Sequence, residues 1–115
     1  MWLRVKRMIA SYHARCAKHH YRTQHFSLCL HDLNKLEKWD DEYSKNPIYA
    51  GYLAMCHFQL KDWNHLTEQV ERALFLLRRH IKSDKEAFLL SRELKSHLAD
   101  LQYIDQNQPK ISKAI

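Results

Sequence analysis

The stretch NPIYAGYLAMCHFQLKDWNHLTEQVERAL, residues 46–74, decides how this chain is read. Asn46 is a strong helix-capping residue type. Pro47 suits the first helical position, where its missing N–H costs nothing. A helix is therefore expected over 47–61. Asp62, a second capping type, opens the next helix, in which Leu66, Val70, Ala73, Leu74, Leu77 and Ile81 recur at helical spacing. The chain's only glycine, Gly51, falls inside the first of the two helices. The stretch reads as a helical hairpin with its corner at residues 60–63.

Working outward, the same periodicity continues. Trp2, Val5, Ile9, Tyr12 and Cys16 form a stripe over 2–22, which predicts a first helix packed through that stripe. A second helix is expected from Thr23 as its cap, with Phe26, Cys29, Leu30, Leu33 and Leu36 inward, ending in the acidic run Asp40, Asp41 and Glu42. The fifth opens on Ser83 and Glu86, spaced as a capping box, and turns Leu90, Leu94, Leu98, Leu101 and Ile104 inward. With 115 residues, 45% of them hydrophobic, the chain can form one domain with a modest core. One glycine and two prolines provide too few turns for a β-rich fold. The expected fold is all-α: about five helices with short links that favour antiparallel hairpins, a single domain over 1–105 and a flexible tail over 106–115.

Composition narrows the function. Three cysteines, Cys16, Cys29 and Cys56, lie without C-x-x-C pairing, which fits a reducing, cytoplasmic location better than a disulfide scaffold. His13, Cys16 and His20 would share a helix face and are residue types that ligate zinc, with His19, His25, Cys29 and His31 nearby. Their spacing matches no structural zinc pattern, so neither metal nor cofactor is expected. No nucleophile, base and orienting group stand in a recognisable order, so the chain is not expected to be an enzyme. No apolar run approaches the length of a membrane span, and no secretory signal follows Met1.

The net charge is +6, and no acid precedes Asp32. Arg4, Lys6, Arg7, Arg15, Lys18 and Arg22 all lie on the first helix and form a candidate basic patch. Nucleic acid would reward such a patch through its phosphates. An anionic membrane would take Trp2 and Leu3, and an Arg-rich, acid-poor segment also suits organelle targeting. The plainer alternative is a solvated face balanced by the acidic run. Nucleic acid ranks as the second choice of partner, and a membrane is not expected. Trp39 and Tyr43, beside the acidic run, are free to face a partner.

Leu53 and Ala54, then Leu60, Lys61, Asp62 and Trp63 at the corner, then Ala73 and Leu74, resemble a tetratricopeptide repeat, a helix–turn–helix unit of about 34 residues. The sequence departs from that pattern at His57, Leu66 and Val70, and carries no second copy. The string Leu53, Ala54, Met55, Cys56, Phe58 and Leu60 is also similar to the middle hairpin of small chaperones for the needle subunit in bacterial type III secretion. The resemblance implies a protein-binding module that holds an amphipathic client helix. It puts Ile48, Gly51, Met55, Phe58 and Gln59 along the inner groove, with Tyr52, Met55 and Phe58 as anchors. Adaptable Met55 and side-chain-free Gly51 agree with that role. Ordinary core packing is the alternative for Met55 and Phe58.

Overall fold

The computed structural model describes residues 1–40 and 42–107, and among them it contains helices and no strand. The helices are α1 (Trp2–Arg22), α2 (Phe26–Trp39), α3 (Pro47–Gln59), α4 (Leu66–Leu77) and α5 (Lys85–Asn107), with a 3-10 turn at Tyr43–Lys45. The all-α expectation holds. The tail expected over 106–115 begins inside α5, at Gln106 and Asn107, and its remainder lies outside the described residues.

Side-chain caps mark the end of α1 and the starts of α3 and α5. Asn46 Oδ1 accepts from the backbone N–H of Ile48 at 2.9 Å and of Tyr49 at 3.4 Å, as its residue type predicts. Two other caps move. Thr23 closes α1 instead of opening α2: its hydroxyl donates to the His19 carbonyl at 2.9 Å. At α5 the cap is Asp84, not Ser83, and its Oδ1 accepts from Glu86 N–H at 2.9 Å. Glu86 is thereby released from a capping box, and its carboxylate turns to other helices. The corner after α3 uses Asp62 as a turn residue, Oδ1 accepting from Asn64 N–H at 3.4 Å, so α4 starts at Leu66.

None of the left-handed turn positions is glycine. Gln24, Lys61 and His65 have φ of 63°, 60° and 55°. Gly51 sits mid-helix because space demands it. A Cβ there would stand 3.2 Å from Leu90 Cδ1 and 3.6 Å from Leu77 Cδ1. α3 therefore approaches α4 and α5 at one point.

Contacts between named residues fix how the helices pair. Trp2 meets Trp39 and Tyr21 meets Phe26, so α1 and α2 run in opposite directions. His57 Nδ1 lies 2.7 Å from Gln69 Oε1, and Gly51 lies near Leu77, so α3 and α4 do the same. α5 runs alongside α3, with Tyr52 touching Glu86 and Phe58 touching His97. The core joins Cys29, Leu33 and Leu36 of α2, Tyr52 to Cys56 of α3 in part, Leu66, Val70 and Leu77 of α4, and Leu90 and Leu94 of α5. Each fully buried leucine contributes about 2 kcal/mol of transfer free energy.

One helix is turned relative to expectation. α1 packs through Ala10, Ala14, Ala17 and Tyr21, and Ala17 is fully buried. The stripe expected to face inward is largely outside: Trp2, Val5 and Tyr12 are 66%, 40% and 57% exposed, and Ile9 and Cys16 are half-buried. Small alanines bring the helix backbone close to its neighbours, which buries more of both surfaces than bulky side chains at that contact would.

Candidate functional site

The face of α3 expected to hold a client is covered by α5. Gly51, Tyr52 and Met55 are buried, and Phe58 stacks on His97 of α5 with ring centroids 3.9 Å apart. Ile48 is half-buried against the core and only Gln59 is exposed. These six residues do not form an open groove here: α5 meets Gly51, Tyr52 and Phe58 through Leu90, Glu86 and His97, while Leu77 of α4 and Tyr21 of α1 also meet Gly51 and Tyr52. Tyr52 is a structural hub. Its ring stacks on Tyr21 at 4.2 Å, and its hydroxyl donates to Glu86 Oε2 at 2.6 Å. Burial, followed by that carboxylate, pushes the Tyr52 phenol well above its ordinary range. The hairpin residues behave more nearly as expected. Ala54 and Ala73 are buried, and Leu53 and Leu74 pack against the core. Leu60 and Trp63 remain exposed at the corner, where Trp63 meets the edge of Phe58 at 5.8 Å.

The open groove lies elsewhere. A cleft of about 730 Å³ runs between α1, the end of α2 and the start of α3. Leu3, Ala10, Ala14, Leu36, Trp39 and Tyr49 supply its apolar surface. Lys6, Arg7, Arg15 and Lys18 line it from α1, and Asp40 and Glu42 from the other side. Four of the six predicted basic residues thus meet on one cleft, and Trp39 lines it as well. Tyr43 is buried. The sequence signal for this cleft was the spacing of Ala10, Ala14 and Ala17, which marks close helix packing beside the cations.

The predicted basic patch exists as a surface. Arg4, Arg7, Arg15, Lys18 and Arg22 fall on one side of α1 by helical spacing. Lys18 and Arg22 reach Glu86 at 3.5 and 3.8 Å, distances at which exposed pairs contribute little. Among the described residues, Arg4, Lys6, Arg7 and Arg15 make no ion pair. Among the described residues, Asp40 and Glu42 form no ion pair with α1.

Four of the histidine and cysteine residues take structural roles. His20 Nδ1 hydrogen-bonds Asp32 Oδ2, linking α1 to α2, and His25 Nδ1 hydrogen-bonds the Thr23 hydroxyl. Cys29 and Cys56 are fully buried, and Cys29's thiol is pushed far up, first by its hydrogen bond with Cys56 and then by burial. Such a thiol stays protonated and unreactive at neutral pH. Among the described residues no three His, Cys, Asp or Glu side chains converge as a metal site.

No family model, no curated protein and no solved structure matches the chain.

Proposed function

We propose that the protein is a non-enzymatic binding module for another protein, and that it takes an acidic, amphipathic helix of its partner in the cleft beside α1. The observation that carries this reading is the cleft itself: an apolar surface from Ala10, Ala14, Trp39 and Tyr49, bordered by Lys6, Arg7, Arg15 and Lys18. A helix laid there would bury its apolar side while its acids meet the cations. The succession of hairpins and the resemblance of residues 53–74 to a tetratricopeptide repeat support a scaffold for protein recognition. A chaperone of the type III secretion class, working in the cytoplasm, is the finer form of the same reading, and it rests on the short string from Leu53 to Leu60.

A synthetic, fluorescent acidic amphipathic peptide tests it. Fluorescence anisotropy is expected to give saturable binding, weakened about tenfold or more by Arg7→Glu combined with Arg15→Glu. Ser11→Trp, at an exposed position of the cleft lining, should also weaken it. Equal binding by the folded variants would refute the cleft.

A second reading, nucleic-acid binding, has one observation in its favour: the cations Arg4, Arg7 and Arg15 on one side of α1, which make no ion pair among the described residues. Affinity for duplex DNA that falls steeply with salt would support it.

A further inference from the structure

We propose that the outer face of α1 docks on an anionic lipid surface, with Val5, Met8 and Tyr12 entering the headgroup region and Arg4, Arg7 and Arg15 meeting lipid phosphates and carboxylates. The apolar stripe of this face points away from the core and from the cleft, and the face shares only Arg7 and Arg15 with the cleft's border.

The apolar half of the argument is the turn of α1. Because the alanines face inward, Val5, Met8 and Tyr12 are left 40%, 66% and 57% exposed. Their spacing, three and then four residues, sets them in one stripe. Trp2, 66% exposed, extends the apolar surface at the start of the helix. Aromatic side chains such as Tyr12 and Trp2 favour the boundary between headgroups and acyl chains.

The charged half lies directly beside it. Arg4 and Arg15 flank the stripe, Arg7 follows on the same basic side, and none pairs with a carboxylate among the described residues. The first turn of α1 contains Arg4 and no acid, although the helix dipole disfavours a cation at that end. The arrangement works against the helix itself and suits an external anion.

Other occupants satisfy one half only. A second copy of the chain docked through this face would set arginines against arginines, since α1 contains no acid. Nucleic acid would neutralise the arginines and leave the apolar stripe in water. An anionic bilayer takes both, and a convex helix ridge fits a plane. No helix among the described residues is long and apolar enough to cross a membrane, so α1 would lie on the surface.

Flotation of the full chain with phosphatidylcholine vesicles, with and without phosphatidylserine, tests the proposal. Binding is expected only where phosphatidylserine is present. Met8→Gln with Tyr12→Gln should lower it about tenfold or more. Arg4→Gln with Arg15→Gln should lower it about 25-fold, since each cation near an anionic surface contributes roughly fivefold. All these side chains are exposed, so circular dichroism should match the parent. Absence of flotation, equal flotation without phosphatidylserine, or flotation indifferent to the Met8 and Tyr12 changes would overturn the proposal. So would binding of a mixed-sequence oligonucleotide by a chain that ignores the vesicles.

Discussion

At the scale of the residue, His97 joins α5 to the exposed end of α3. Its ring stacks on Phe58 at 3.9 Å, and its Nδ1 is buried with no hydrogen-bond partner among the described residues. Burial holds its pKa below the usual 6.5, against the opposing pull of Asp100 and Glu93. The folded state therefore prefers the neutral ring. As pH falls through about 6.5, the unfolded chain takes up a proton before the folded chain does. The stabilisation linked to His97 is complete above that pH and is lost as pH falls through the lower, folded value. His97→Phe keeps the stack and removes the proton. Thermal unfolding should show the parent losing stability relative to His97→Phe below pH 6.5, with the two running parallel above it. Parallel curves throughout would mean that His97 ionises as freely in the fold as outside it.

At the scale of the element, α1 separates what periodicity reveals from what it hides. The stripe of Trp2, Val5, Ile9, Tyr12 and Cys16 located the helix, and the helix spans Trp2–Arg22. The stripe did not tell which side faces the core. A helix with two apolar stripes, one bulky and one of alanine, gives the bulky one the stronger signal. Close packing can reward the small one more, because backbones approach and both surfaces leave water. Gly51 carries the same lesson, since its missing Cβ makes room for Leu90 and Leu77. Local chemistry was easier to read where a single residue suffices, as at Asn46, than where neighbours compete, as at Ser83 and Asp84. The orientation of α1 has a direct measurement. Ala17→Leu should destabilise by about 1–3 kcal/mol in chemical denaturation, because it overfills a fully buried contact. Tyr12→Gln, on the exposed side, should change stability by less than about 0.5 kcal/mol. The reverse order would mean that the bulky stripe faces inward after all.

At the scale of the whole molecule, α3 is the helix that the others surround. Through Tyr52 it meets Tyr21 of α1 and Glu86 of α5, through His57 it meets Gln69 of α4, and its Cys56 adjoins Cys29 of α2. The pattern of one helical hairpin cannot announce that the chain's own last helix will pack on the face expected to stay open. That explains why the hairpin was legible and its expected groove was not. The arrangement also makes a claim about cooperativity. α5 buries Ala87, Leu90, Leu94 and Leu101 in the common core, so it should open only with α3 and not as a separate lid. Native-state hydrogen exchange should give the slowest amides of α3 and α5 the same opening free energy. Leu94→Ala, expected to cost about 2–5 kcal/mol, should lower both together. If α5 exchanges far faster than α3, it behaves as a detachable cover. Phe58 would then lose its cover from His97 whenever it lifts, and a partner helix would be sought on α3 rather than beside α1.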